Sequence, residues 1–395
     1  MAGSRRAGGA ARTRRSGEDD SLRRLQDLWL NSQEEGKGMR FAQFRTLAFG
    51  AALLWSSAPA LAQDLPAASF KIIGPSLNSP PYELVKSFWE GVEAESGGKL
   101  DIEVQSLTEL GLKGPEVYRM AKLGVAQVVI ASLAFTSGDV PENDAMDFPG
   151  LNPNYDVLAK SIEAYLPHLQ ELYRTRSQVE LLGVWPLAAQ VFWCNKPVAS
   201  LADLKGKKVR TSGASLAEFL EAAGAVPATL PFAEMIPGIQ RGVIDCAVTG
   251  TVAGNLSKLY EVTTDIYPLS VGWGLEGNIV NKSWWDGLDP ALRTFLAKKM
   301  DEMTAFGWDQ ARSGTDHGLW CSTGDPRCDV SVTKPLPLTP AHLKLATVSA
   351  EDDAMRRELL ETKALAEFAA RCGAECAAVW NDTLGKLHGL KASAH

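Results

Sequence analysis

An arginine that closes a lysine-rich turn is the residue best placed to do chemistry in this chain. The run LADLKGKKVRTSG ends its basic stretch at Arg210, which is followed by Thr211, Ser212 and Gly213. A guanidinium is a planar fork that meets a carboxylate through two parallel hydrogen bonds, whereas lysine is a flexible point charge. The chemistry on offer is therefore recognition of an anion, with Lys205, Lys207 and Lys208 decorating an exposed turn around Gly206. A second strand end, Asp245-Cys246-Ala247-Val248-Thr249-Gly250, places a hydroxyl at Thr249 that can both donate and accept. Cys246 reads as a buried thiol or a disulfide partner, because no histidine-based arrangement beside it would activate a nucleophile. Trp185, Gln190 and Trp193 bracket an earlier crossing of the chain. Trp273 stands between Gly272 and Gly274 in VGWGLEGN, where it can wall a pocket or pack a hinge. Phe135, Asn143 and Asp147 lie in a polar, proline-rich loop within reach of a solute, and Trp284 with Trp285 read as packing at a helix start.

Motifs for turnover are missing. The sequence holds no HExxH, GxSxG or P-loop motif, and of its five histidines four lie at His317 or beyond. Zinc at Cys321 and Cys328 with His317 lacks the CxxC spacing, and no calcium motif is present, so no cofactor is required. Residues 1–62 carry ten of the 40 Lys and Arg but only six of the 47 acidic residues, which leaves a net charge of −11 on residues 63–395. That balance offers nothing for nucleic acid.

The elements that must position these groups alternate between two periods. Ala68 to Ile73 reads as a strand, Leu84 to Val92 as a helix, Leu100 to Val104 as a strand, Val117 to Leu123 as a helix and Val128 to Leu133 as a strand. The alternation predicts an α/β domain with a largely parallel sheet, and a similar pattern of strands and short helices recurs from Val179 to Asn281. Asp289 to about Leu319, and Pro340 to about Leu387, read as helical. The chain is thus expected to fold as two α/β lobes joined by crossover strands and braced by long C-terminal helices. The expected limits are 63–188 plus 276–316 for the first lobe, 189–275 plus 317–390 for the second, and 391–395 for a tail.

Several stretches together resemble the DctP-like extracytoplasmic solute-binding receptors of TRAP transporters. They are LADLKGKKVR ending at Arg210, AAGAVPATLPFAEM from Ala222 to Met235, GVIDCA from Gly242 to Ala247, GVAQVVIAS from Gly124 to Ser132, and IVNKSWWDGL from Ile279 to Leu288. The resemblance covers most of residues 68–385. It implies a two-lobe receptor that closes over a small organic acid and presents it to TRAP membrane permease subunits. It also implies that Arg210 grips the ligand carboxylate, with Thr249, Trp273, Gln190, Trp193 and Trp185 as further contacts. Gln190 lies near the position where relatives carry a second anion-binding arginine, which favours a monocarboxylate or a polar acid here. A calcium bridge to the carboxylate, known among related receptors, has no supporting motif. A binding-only sensory receptor, or an enzyme on the same scaffold, is the alternative reading, and the sequence leaves monomer or homodimer undetermined.

Export is expected from residues 39–62. Met39 opens a segment with Arg40 and Arg45, an apolar run from Leu47 to Trp55 and the small-residue ending Ala60-Leu61-Ala62, the three regions of a cleavable signal peptide. Cleavage is expected before Gln63 and delivery to the periplasm, with residues 1–38 an extension upstream of the working start. All six cysteines fall beyond that point, where an oxidising compartment would let them pair. Cys321 with Cys328 and Cys372 with Cys376 are the easiest local pairs, among fifteen connectivities that six cysteines allow.

Overall fold

The structure, a computed structural model, describes residues 65–77 and 79–394. The expected signal peptide, its cleavage point and the upstream extension lie outside them. Among the described residues no helix is long and apolar enough to cross a membrane.

The chain begins with β1 (Ala68–Gly74), α1 (Pro80–Glu95), β2 (Leu100–Ser106), α2 (Glu116–Lys122) and β3 (Val128–Ser132). Ser79 starts α1 by accepting a hydrogen bond from the Tyr82 amide, while Pro80 and Pro81 occupy first-turn positions that need no amide hydrogen. After α3 (Tyr155–Leu172), β4 (Val179–Pro186) leads across to β5 (Gln190–Cys194). Then come β6 (Lys208–Thr211), α4 (Ala214–Ala222), β7 (Val226–Thr229), α5 (Met235–Gln240), β8 (Cys246–Gly250), α6 (Thr251–Leu256) and β9 (Asp265–Tyr267). The chain returns through β10 (Leu275–Asn281) to α7 (Lys282–Asp286), α8 (Pro290–Thr323), β11 (Lys344–Leu345), α9 (Ala350–Leu359) and α10 (Leu365–Trp380).

Two sheets result. The first has the order β2-β1-β3-β10-β4 and the second β11-β9-β5-β8-β6-β7. Both are mixed, where the sequence pattern predicts largely parallel pairing. β10 runs antiparallel between β3 and β4, and β5 runs antiparallel to β8 and β9. The reason is the route of the chain. β3 and β4 run towards the second lobe, so a strand arriving from that lobe enters the sheet at their C-terminal ends and runs against them. The outgoing and returning crossings are stitched together: the Leu187 amide donates to the Gly274 carbonyl at 2.9 Å and the Gln190 amide to that of Gly272 at 2.9 Å.

The C-terminal segment does not follow the expected division. Leu360, Leu365, Phe368 and Trp380 pack with Phe148, Tyr165 and Leu181 of the first lobe, and Ala392 is buried there too, held by two hydrogen bonds to the Asn381 side chain. Residues beyond 360 are thus part of the first lobe's core, because the apolar faces of α3 and α10 cover one side of its sheet. A boundary at 316 falls inside α8. Leu292, Leu296, Met300 and Met303 of that helix join the first lobe's core, and its Gly318 lies against the second lobe, where a Cβ would sit 2.6 Å from the Thr251 carbonyl carbon. One unbroken helix therefore backs both lobes.

All six cysteines are paired, as Cys194–Cys246, Cys321–Cys328 and Cys372–Cys376. The first joins directly opposed residues of β5 and β8, a partnership invisible in sequence because it depends on strand register. His317 accepts a hydrogen bond from the Asp329 amide, and among the described residues no cluster of His, Cys, Asp or Glu is suited to hold a metal ion.

Candidate functional site

β6 carries Arg210 to the inner end of the second sheet, between Ala228 of β7 and Ala247 of β8. The side chain is only 3% exposed. Its Nε donates to the Leu230 carbonyl at 2.9 Å and its Nη1 to the Val248 carbonyl at 2.9 Å, which fixes the plane of the guanidinium. Nη2 has no such partner, and no carboxylate pairs with the group among the described residues. Burial alone pulls its proton affinity down, to about 10, so it stays cationic at neutral pH. A buried cation without a counter-ion is costly, and in a cleft it amounts to a prepared seat for an anion.

The cavity that contains Arg210 lies between the lobes. Its second-lobe wall is Arg210, Ser212, Phe232 and Thr249, and its first-lobe wall includes Ser76, Ser79, Ser132, Phe135 and Glu276. Gln190 and Leu187 of the outgoing crossing and Gly274 of the returning one form its back. Gln190 donates from Nε2 to the Ala188 and Trp273 carbonyls at 2.8 and 3.3 Å, so this amide ties the two crossings together where they border the cavity. Two aromatic rings, three serines on one wall and a threonine and serine on the other suit a small solute with an apolar skeleton and polar ends.

Of the six residues singled out from the sequence, Arg210, Thr249 and Gln190 come together here. The three tryptophans do not. Trp193 is fully buried behind its sheet, its ring against Gly254, where no Cβ would fit. Trp273 is 5% exposed and donates from Nε1 to the Asn152 carbonyl at 3.0 Å while packing on Tyr155. Trp185 donates to Asn278 at 3.1 Å and faces an adjoining, more apolar cavity with Val252, Leu256 and Leu336. A large indole at the end of a strand is as well used to fill the joint between two sheets as to line a cleft. Asn143 is engaged with Thr136 and Tyr173, and Asp147 accepts hydrogen bonds from the Trp273 and Gly274 amides at 2.8 and 2.9 Å. Asp147 thereby anchors the returning crossing to the first lobe, and burial pushes its carboxyl up to about 6.

Two features escape a reading by motif. Glu276, on β10, is 3% exposed, and its Oε2 is buried without a hydrogen-bond partner. Burial pushes its carboxyl up to about 8. The signal was present as a charged residue inside the otherwise uncharged strand LEGNIVN. The second feature is a clasp between the lobes. Arg371 of α10 donates to Glu218 of α4 at 2.8 Å, to Asp144 at 3.3 Å and to the Ser137 carbonyl at 3.1 Å. Asp144 also accepts from the Ser215 amide at 3.3 Å.

Comparison with known proteins agrees with this architecture. Residues 74–317 match the family described as bacterial extracellular solute-binding protein, family 7. The chain is 27% identical over 265 residues to the C4-dicarboxylate-binding periplasmic protein DctP of Rhodobacter capsulatus, covering 67% of this chain and 79% of that one. It is 29% identical over 195 residues to the ectoine-binding periplasmic protein TeaA of Halomonas elongata, covering 47% of this chain and 56% of that one. Among solved structures, an extracytoplasmic solute receptor of Bordetella pertussis binding pyroglutamic acid superposes with a TM-score of 0.68 at 23% identity, over 80% of this chain and 99% of that chain.

Proposed function

Because this chain belongs to the bacterial extracellular solute-binding proteins of family 7, we propose that it is a periplasmic receptor that binds a small organic acid by its carboxylate and hands it to a TRAP permease. The observation that carries this reading is Arg210, buried, cationic and without an anionic partner, in a cleft between two lobes. The named ligands of the relatives support it, since a C4-dicarboxylate and pyroglutamic acid, like ectoine, each bear a carboxyl group. The carboxylate would take the free Nη2 and a neighbouring hydroxyl, with Thr249 and Ser212 at hand. No group in this reading turns the solute over, and no cofactor enters it. A ligand touching both walls binds the closed form more tightly and so draws the lobes together. Export by the 39–62 segment, with cleavage before Gln63, would place the receptor where its permease can meet it.

The test is native mass spectrometry of the exported protein purified without added ligand, with release and identification of any bound molecule, followed by calorimetry on Arg210→Ala. A stoichiometric organic acid in the wild type, with binding weakened at least a hundredfold in a folded variant, is the expected result. Unchanged saturable binding of organic acids by a folded Arg210→Ala protein would reject the reading.

A further inference from the structure

Resting on that carboxylate reading, we propose that Glu276 is the second recognition group of the cleft. It accepts a hydrogen bond from a cationic nitrogen, so the preferred solutes are compact zwitterions whose carboxylate faces Arg210 and whose ammonium or amidinium group faces Glu276.

The placement of Glu276 carries the argument. It sits in the interior of the first sheet, opposite Ser132 of β3 and Trp185 of β4, yet its side chain lines the same cavity as Arg210. The residue is 3% exposed, and Oε2 meets neither donor nor cation within the protein. A carboxyl in that position is expensive unless something pairs with it, and glutamine or leucine would fill the space at lower cost. Arg210 does not serve as the partner. The two stand on opposite walls, and burial alone accounts for the shifted proton affinity of each. Among the described residues they are the charged side chains that line this cavity.

Charge then selects the occupant. With Arg210 and an ionised Glu276 facing each other across the cleft, a zwitterion laid between them leaves every charge paired, and closure desolvates no net charge. A dicarboxylate would bring its second carboxylate against Glu276, and a plain monocarboxylate would leave Glu276 protonated or unpaired. The rings of Phe135 and Phe232 suit a short carbon skeleton and add a favourable face for a cation.

The experiment uses pairs of solutes that differ at one group. Amino acids of two to six carbons, with the amino group at either the α or the ω position, are matched with the hydroxy acids of the same skeleton. Affinities are measured by calorimetry on the wild-type protein, Glu276→Gln and Arg210→Ala, with folding checked by circular dichroism. The expected result is that the tightest pair favours its amino member by at least tenfold and that Glu276→Gln removes the preference while still binding the hydroxy acid. Equal binding of the pair, preference for the hydroxy acid, or a preference that survives in Glu276→Gln overturns the inference and leaves the carboxylate reading standing. Absence of binding across both sets overturns this inference alone, whereas binding indifferent to Arg210→Ala defeats the carboxylate reading and this inference with it.

Discussion

Arg210 is clamped at two nitrogens by the Leu230 and Val248 carbonyls and is free at the third, which makes lysine a poor substitute for it. Lysine keeps the charge but cannot hold the fork, so Arg210→Lys should lose one charge-assisted hydrogen bond, about 1.5–3 kcal/mol, and weaken organic-acid binding roughly ten- to hundredfold by calorimetry. Affinity within threefold of wild type would show that charge alone anchors the ligand. Arg210, Thr249 and Gln190 were legible from sequence because each stands at the end of a strand, next to the point where the chain turns into the cleft. The tryptophans misled because ring size marks an important packing site without saying which side of the sheet it faces; Trp193 turns away from the cleft towards Gly254. Glu276, Phe232 and the first-lobe serines come from separated segments that only the fold assembles, and no local motif announces them.

The strands were legible as elements, but their pairing was not, and the cysteines show why. Cys194 and Cys246 are 52 residues apart in sequence and directly opposed across β5 and β8, so the bond encloses much of the second lobe's sheet. In the chain-entropy view a loop of this length stabilises by about 4 kcal/mol, and measured values for native bonds run about 2–5. Replacing both cysteines by serine should lower unfolding stability within that range in urea titrations, whereas replacing Cys372 and Cys376, four residues apart, should cost clearly less. Equal losses would count against loop length as the cause. The clasp from α10 to α4 is also an element-level device. Arg371→Ala removes the charged bond from the C-terminal helix to Glu218, which joins the lobes, together with the bond to Asp144 within the first lobe. Ligand release should accelerate about tenfold in stopped-flow measurements, with little change in the fold. An unchanged release rate would show that the clasp does not hold the lobes closed.

At the scale of the whole molecule, three buried acids are held above the ordinary carboxylate range. Burial pushes Asp144 and Asp147 up to about 6, against the opposing pull of Arg371 on the first and of the Trp273 and Gly274 amides on the second, and pushes Glu276 up to about 8. Each is therefore raised above its unfolded value, so the folded state retains protons that the unfolded chain has already released. The stability this represents is complete below the unfolded values near 4 and drains away as pH rises, through about 6 for the aspartates and about 8 for Glu276. Other groups act in the opposite direction at lower pH: Asp203 and Asp245 are held down mainly by backbone amides that donate to them, and their stabilisation is present above the ordinary aspartate value and lost below it. His388, lowered by burial, adds stability that is lost below about 6.5. Between pH 6.5 and 8.5 the titration of Glu276 consequently dominates. The ligand-free protein should melt at progressively lower temperature across that window, and Glu276→Gln should melt along a visibly flatter line in the same buffers. Parallel lines would mean that the carboxyl is already paired in the free protein, which would remove the physical ground for a cation-seeking group opposite Arg210.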